Sequence, residues 1–480
     1  MSSRRSKKKR APYSYEKVNT ERVKSCEKRL NTGISIPDYP LNVPEIIVSE
    51  GQKEKLAAIY KTPFGFSSEA LKKWCKFSFE HVPSNYRQIE LVALQTLSAI
   101  LVFHCDLNIN PFWVLDISDS GTGKGTNLRF QKKLFKSVID KLKENAKFNE
   151  EHKNEIKDNK SLLRPTLFFG DIKATQEGFY ATLTEANVLY FLFGEIADTL
   201  KNPARSELLN TLTEQHGSIS KFTPGIYKNA QNLPPEVSGK IYIYADTNIQ
   251  QLGGDDKLVK AFAGGFINRF ILIYTKNILK YEDSRYKEAS DSELEPYLKW
   301  VDDMVDFFMT VRPSPDIDIN SVYDDPSFDK FARQIHSSLQ DGKLEFKEFY
   351  NRQIYNLQAI IQILHCVTEY DRYQGSTQEI WEFEFNNIPS SDTIKEAIRF
   401  CSFYFDVKPF LQELDSAAEG IFNLRNELLE RIKANPSLTP RDILMSRKYR
   451  KYGLTNSSLL NILDGFVKPW RGQQECFTLI

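Results

Sequence analysis

The stretch that decides the fold is Phe112-Trp-Val-Leu-Asp-Ile-Ser-Asp-Ser-Gly-Thr-Gly-Lys-Gly-Thr126. Its first half is a largely apolar run that predicts a buried strand, and its second half is a glycine-rich turn. The basic segment from Asn127 to Lys143 follows, and it predicts a helix. A strand, a glycine-rich turn and a helix in this order form the setting of a loop that binds phosphate through backbone N–H groups and a helix N-terminus.

This loop predicts an NTPase that binds ATP with Mg²⁺. Lys124 is placed to neutralise the β- and γ-phosphates, and the hydroxyl of Thr126 is placed to hold the metal. Ser118 stands where the usual motif has its first glycine, and Gly125 stands where it has Ser or Thr. A Gly-Lys-Gly-Thr ending also occurs in loops similar to those of adenylate kinases. The alternative is a glycine turn with a chance lysine. The residues expected to hold the nucleotide are Ser120, Gly121, Thr122, Gly123, Lys124, Gly125 and Thr126.

Composition is that of a globular protein with two or three domains. The chain has 480 residues, of which 41% are hydrophobic and 26% charged, and its net charge is +1. Because no global charge draws it to nucleic acid, such a partner must meet local basic patches. The six cysteines lack paired spacing, which argues against a zinc site and a disulfide framework. We find no apolar run of membrane-spanning length and no signal peptide, so we expect a cytoplasmic protein without a membrane partner.

The chain divides into five expected regions. The first, residues 1–33, begins with six Lys or Arg between Met1 and Arg10, and is expected to be a disordered, solvated tail. The alternatives are an arm that binds nucleic acid and a nuclear localisation signal. A helical region over 34–110 precedes a core over 111–279. A second helical region over 280–433 precedes a small unit over 434–480.

Four further apolar runs in the core predict strands. They are continuous instead of alternating, which is typical of parallel strands buried on both faces. Helical stretches lie between them, so the fold class is α/β, with a P-loop NTPase core flanked by helical regions. The four runs are Leu167–Phe169, Val188–Phe193, Ile241–Ala245 and Phe270–Tyr274.

Polar residues near the ends of these strands are candidates for catalysis. Glu195 follows the second run, and a carboxylate there can activate the attacking water. Gly194 takes the place of the usual metal-ordering Asp, so that ligand is either missing or supplied by Asp171 or Asp198. The alternative for Glu195 is a carboxylate that caps a helix.

Two more residues complete the predicted site. Asn248 follows the third run, where an amide can sense the γ-phosphate; the alternative is an ordinary Asx turn. Arg269 directly precedes the fourth run, and its guanidinium is a candidate finger for the γ-phosphate bound by a neighbouring subunit. The alternative for Arg269 is a structural salt bridge.

The order of these blocks resembles the P-loop ATPase family of phage, plasmid and genomic-island replication proteins, which are primase/helicase-like. The resemblance covers roughly residues 36 to 276. It rests on the Pro-rich segment from Ile36 to Pro44, the loop ending at Lys124, Asp171 to Gly178, Gly194-Glu195, and Gly264 to Phe270. It implies an ATPase that acts in DNA replication, a homo-oligomer for which a ring is one form, and a primase or other replication protein as partner.

The C-terminal unit predicts a winged helix. Thr439-Pro-Arg-Asp442 has the N-cap, first-position proline and acidic first turn of a helix start. A second helix near Thr455 to Gly465 and a hairpin from Phe466 to Ile480 follow. Basic residues around this unit can neutralise DNA phosphates; the alternative is a lid used for protein contacts. These residues are Arg447, Lys448, Arg450, Lys451, Lys468 and Arg471.

Two function classes follow from the sequence. The first is an ATP-dependent DNA helicase or replication ATPase of a phage, plasmid or mobile element. The second is a non-motor ATP-binding switch or loader that binds a partner protein, which the Gly194 departure favours. A small-molecule kinase is a third and weaker interpretation, since Gly-Lys-Gly-Thr alone supports it.

Overall fold

The structure is a computed structural model. It describes residues 60–105, 107–118, 122–159, 162–164, 166–170, 188–193, 239–247, 266–275, 288–311, 316–340, 347–404 and 426–446, with isolated positions outside these segments.

Two helices precede the decisive stretch. Helix α1, Glu69–His81, begins where the Ser68 side chain accepts a hydrogen bond from the Leu71 N–H. Helix α2, Tyr86–Cys105, is buried along almost its whole length. Leu91, Leu94, Leu97 and Leu101 are among its buried residues, as their helical spacing predicts.

Helix α2 corrects one expectation. Among the described residues it is the one helix whose length and apolar composition would allow it to cross a bilayer. The expectation that no apolar run approaches this length is therefore wrong. However, 94% of the relevant window of α2 is buried inside the protein. The helix packs against α1, the helix Asp291–Thr310 and the sheet, which is the position of a core helix.

Five parallel strands form one sheet, in the order β2-β3-β4-β1-β5. Strand β1 lies between β4 and the edge strand β5, so that Trp113 is level with Ile243 and with Phe270. The α/β class with a parallel sheet is thus confirmed, and each predicted run is a strand. The strands are β1, Trp113–Ser118; β2, Leu167–Gly170; β3, Val188–Phe193; β4, Lys240–Thr247; and β5, Phe270–Thr275.

The helix predicted over Asn127 to Lys143 is interrupted. Helix α3 covers Lys124–Gln131, a 3-10 helix covers Lys132–Val138, and α4 covers Ile139–Glu151, followed by the short α5, Lys153–Asp158. In a 3-10 helix, residues three apart lie on the same side. This geometry turns Phe135 and Val138 to the core together, and both are buried.

Helices dominate the described residues that follow β5. The first of them begins with a capping box, in which Ser290 and Glu293 satisfy each other's backbone N–H groups. Short 3-10 helices cover Ile267–Arg269, Ile319–Asp324 and Ile380–Glu382. The long helices are α6, Asp291–Thr310; α7, Pro326–Gln340; α8, Lys347–Gln374; and α9, Ser391–Tyr404.

Two of the hydrophobic clusters that the described residues form are separate from each other. The larger extends from Phe66 to Tyr404 and joins α1, α2, the sheet and α6 to α9. Residues of the three regions predicted over 34–433 therefore share one core. The second cluster extends from Leu424 to Phe477. It includes Leu428 and Ile432, so it begins before residue 434, where the sequence placed the start of the C-terminal unit.

Candidate functional site

The strand order places the loop after β1 at a distinctive point of the sheet. From β1 the chain crosses to β2 at one edge, returns through β3 to β4, and then passes to β5 on the other side of β1. The connection that leaves β1 and the connection that leaves the neighbouring strand β4 thus run in opposite directions across the sheet. In parallel α/β sheets, ligands bind outside the carboxyl ends of the strands at such a switch point.

Gly123 gives the loop its shape. It is the N-cap of α3 and has a φ of 78°, which is the left-handed region that glycine adopts without strain. A Cβ at this position would lie 1.8 Å from the Pro83 carbonyl oxygen. The turn between α1 and α2 therefore packs directly against the loop backbone, and glycine is required at this position for two reasons.

The N-terminus of α3 is open to a ligand. Its N-cap is a glycine, which has no side chain to satisfy the first N–H groups of the eight-residue helix. Gly125 is exposed, and a Cβ built on it meets no atom within 4 Å. N–H groups without a side-chain cap, the positive end of the helix dipole and open space together suit an anion such as a phosphate.

Lys124 bridges the carboxyl ends of two strands. Its Nζ donates to the Thr247 carbonyl oxygen of β4 at 2.8 Å and lies 3.4 Å from the Ser118 carbonyl oxygen of β1. Both acceptors are neutral carbonyls, so a phosphate would be a stronger partner for the ammonium. Thr126 is half-buried, and its Oγ1 lies 3.4 Å from Nη2 of Arg129.

A buried polar cluster lies beneath the loop, and the sequence patterns did not reveal it. The Asp116 carboxylate on β1 is fully buried. It accepts hydrogen bonds from Gln88 Nε2 at 3.1 and 2.9 Å, from the Tyr244 hydroxyl at 2.9 Å, and from the Ser118 hydroxyl. Gln88 Nε2 also lies 2.9 Å from Ser118 Oγ. The available signal was an acidic residue inside an otherwise apolar strand immediately before the glycine-rich turn.

Burial dominates the electrostatics of this cluster. It raises the pKa of Asp116 to about 6, against the opposing effects of the Ser118 and Gln88 hydrogen bonds and the Lys124 charge. At neutral pH the carboxylate is therefore largely ionised, and a negative charge lies under the loop that is expected to bind phosphate.

Several predicted site residues lie outside the described residues. In the loop these are Ser120 and Gly121, and beyond the strands they are Asp171, Asp198, Glu195 and Asn248. In sequence, Asp171 directly follows β2, Glu195 lies two residues after β3, and Asn248 directly follows β4. Because the strands are parallel, their carboxyl ends lie along the same sheet edge as Lys124.

Arg269 lies at the other edge of the sheet. It directly precedes β5, whose first residue is level with the start of β1. Its residue is 7% exposed, and its carbonyl oxygen accepts a hydrogen bond from Asn356 Nδ2 at 3.2 Å. Within one chain, the structure does not bring Arg269 to Lys124.

The described part of the C-terminal unit contains the predicted helix start and a backbone hydrogen bond between two segments near its end. Helix α10, Pro440–Met445, begins with Thr439 as N-cap, and Asp442 completes a capping box, which confirms the predicted start. The Lys468 N–H donates to the Thr478 carbonyl oxygen at 2.7 Å, as the predicted hairpin requires. Arg447, Lys448, Arg450, Lys451 and Arg471 lie outside the described residues.

Within the part of the chain that the structure describes, no group of three His, Cys, Asp or Glu side chains could hold a metal ion. Comparison of the chain with protein-family models and with curated proteins found no match to either.

Proposed function

We propose that this protein binds and hydrolyses ATP at the loop from Ser120 to Thr126 and uses the energy to act on DNA, as a helicase-like replication ATPase of a phage, plasmid or mobile element. One observation supports the proposal that the protein binds ATP. Lys124 begins a helix with an open N-terminus at the switch point of a parallel sheet, and its ammonium is held by the carbonyls of Ser118 and Thr247.

Each residue of the proposed site would have a separate task. The N–H groups at the start of α3 and the Lys124 ammonium would bind the β- and γ-phosphates. Thr126 would hold Mg²⁺ with Asp171 as second ligand, and the ion would neutralise charge that develops on the phosphates. Glu195 would accept the proton of the attacking water, and Asn248 would contact the γ-phosphate.

The DNA part rests on the C-terminal unit. Its apolar residues form a cluster of their own, the α10 start is capped as predicted, and Lys468 lies on a segment that pairs with Thr478. These features suit a winged helix, in which a hairpin accompanies a helix that enters the major groove. Five further basic residues near it in sequence would add phosphate contacts.

A second function is favoured by two observations. Gly194 replaces the metal-ordering Asp, and Arg269 is buried within its own chain instead of being displayed to a neighbour. Both features suit a non-motor ATP-binding switch or loader, which holds a nucleotide to bind a partner protein without sustained turnover.

ATP turnover with and without single-stranded DNA separates the two functions. A motor is expected to hydrolyse ATP faster with DNA, and Glu195→Gln is expected to bind ATP but stop turnover, because an amide cannot accept the water proton. Glu382→Gln makes the same chemical change on an exposed side chain and serves as the control. Tight ATP binding without DNA stimulation would favour the switch, and absence of ATP binding would contradict both functions.

A further inference from the structure

The turn before α2 and the phosphate-binding loop form one packed unit. The Gly123 backbone lies against the Pro83 carbonyl, and five residues later Gln88 reaches under the same loop. Gln88 is itself fixed, because its Oε1 accepts hydrogen bonds from Ser84 Oγ at 2.7 Å and Asn85 Nδ2 at 2.8 Å. With its Oε1 occupied, the Gln88 amide can present only donors to the Asp116 carboxylate and the Ser118 hydroxyl.

The acceptor side of this arrangement is also saturated. Asp116 receives hydrogen bonds from an amide and two hydroxyls, all of which favour the ionised carboxylate. The charged or titratable groups around it in the described residues are Tyr244, which donates to it, Lys124, whose charge acts on it, and Asp246, which is level with it on β4. The negative charge at Asp116 is therefore buried, held by defined donors, and close enough to Lys124 to feel its charge.

We infer that Gln88 and Asp116 are a positioning pair for the phosphate-binding loop, in which the buried Asp116 charge balances Lys124 in the empty site and takes up a proton when a triphosphate binds. The inference rests on the proposed nucleotide site. A bound triphosphate brings several negative charges to the ammonium, and like charges favour the neutral form of a nearby carboxyl group. The proton comes from solvent and leaves again with the nucleotide, so no other group changes.

Nucleotide affinity must then depend on pH through Asp116. Above a pH of about 6, Asp116 is ionised in the protein without nucleotide. Binding of a triphosphate must then either be accompanied by protonation of Asp116 or be weakened by repulsion between the carboxylate and the phosphates. Affinity is expected to weaken as pH rises, by at most about tenfold per pH unit for one proton. Residue 116 carries no charge at any pH in Asp116→Asn, so this variant is expected to lose the part of the pH dependence of nucleotide affinity that comes from Asp116.

The test measures the dissociation constant of a fluorescent ATP analogue for the full chain between pH 5.5 and 8.5, a range chosen to extend roughly two units above the Asp116 pKa. Titration of the nucleotide itself is common to all variants, so the ratio of wild-type to variant constants isolates the protein group. We expect this ratio to change several-fold with pH for Asp116→Asn. Tyr244→Phe removes one donor to the carboxylate and is expected to move the pH response upward, which keeps the test valid if Asp116→Asn does not fold.

Gln95 provides a matched control on the same helix. It is fully buried, and its Nε2 donates to the Phe112 and Ile243 carbonyl oxygens, so its loss disturbs α2 and the sheet without touching the loop. Gln95→Met is expected to keep a pH-independent ratio, whereas Gln88→Met is expected to alter it. Ratios for Asp116→Asn and Tyr244→Phe that stay constant with pH would overturn the inference while leaving the nucleotide site intact. Absence of binding to the wild type would instead overturn the proposed function.

Discussion

Gly123 and Gly125 differ sharply in whether a side chain can be added at their positions. Gly123→Ala is expected to destabilise the protein by more than ~1–2 kcal/mol, because a left-handed residue with a Cβ is strained and this Cβ would overlap the Pro83 carbonyl. Gly125→Ala adds a methyl group in open space within a helix and is expected to be neutral or to stabilise by up to about 1 kcal/mol. Urea unfolding of both variants checks this prediction. Equal effects would mean that the loop does not pack on Pro83.

A second residue prediction concerns Glu90 on α2. Its carboxylate accepts hydrogen bonds from the Phe64 N–H at 2.6 Å and from Arg87 Nη1 at 2.8 Å, but burial raises its pKa to about 7. Since this pKa lies above the ordinary value of 4.5, the folded state holds the proton more tightly than the unfolded state. The stabilising contribution is complete below the ordinary value and is lost as pH rises through about 7.

We therefore expect the free energy of unfolding of the wild type to fall between pH 5 and 8 by more than that of Glu90→Gln. The control is Glu382→Gln, in which the altered side chain is exposed in the folded state. Parallel curves for wild type and Glu90→Gln would show that Arg87 and the Phe64 N–H keep Glu90 ionised throughout this range.

At the scale of elements, continuous apolar runs were sufficient to predict the strands. Val188–Phe193 is a strand with the predicted bounds, and Ile241–Ala245 is extended by one residue before and two after. Such runs can be recognised in a sequence because a parallel strand is buried on both faces and is therefore apolar along its whole length. The interruption of the helix after Gln131 was not predictable in this way. The 3-10 segment there turns Phe135 and Val138 to the core, and the position of the core relative to this segment is set by the rest of the fold.

The strand order and the Asp116 cluster also required the structure. Nothing local in β1 specifies that β4 and β5 are its neighbours, since this depends on pairing between distant segments. Likewise, Gln88 and Gln95 lie in an apolar helix where sequence does not reveal that each reaches a polar group of the sheet. The strand before Lys124 and the helix that begins at Lys124 were predictable, because they depend on adjacent residues.

The C-terminal unit supports a prediction at the same scale. If its basic residues bind DNA phosphates, replacing all six with Gln should reduce the slope of log affinity against log salt by about 0.9 for each phosphate that is no longer neutralised. Replacing Lys143, Lys147 and Lys153, which are exposed, controls for a general loss of charge. Residues 1–33 should be removed from every protein compared, because that tail is also basic.

Deletion of the unit should begin before Leu424, not at residue 434, since a shorter deletion would leave Leu424, Leu428 and Ile432 without their apolar partners. Basal ATP hydrolysis is expected to survive this deletion, because the nucleotide site belongs to the other cluster. An unchanged salt slope in the six-residue variant would assign the unit to protein contacts and favour the switch over the motor.

At the scale of the whole molecule, the position of Arg269 makes assembly testable. If Arg269 acts on the nucleotide of a neighbouring subunit, Arg269→Ala should bind ATP without hydrolysing it. Mixing it with Lys124→Ala should then restore part of the activity, since each variant supplies what the other lacks. Arg333→Ala, at an exposed arginine paired with Asp329, serves as the control.

Because Arg269 is buried, its loss can also weaken the fold. Thermal unfolding of Arg269→Ala distinguishes the two roles. A lowered melting temperature with no rescue in the mixture would show that the guanidinium acts inside its own chain, and would favour the non-motor function.

The central claim is that Lys124 begins a nucleotide site. Equilibrium binding of a fluorescent ATP analogue with Mg²⁺ to wild type, Lys124→Ala and the exposed control Lys143→Ala tests it most directly. We predict that Lys124→Ala binds at least about a hundredfold more weakly, a loss of ~3 kcal/mol, while Lys143→Ala binds as the wild type does. A folded Lys124→Ala protein with wild-type affinity would contradict the account.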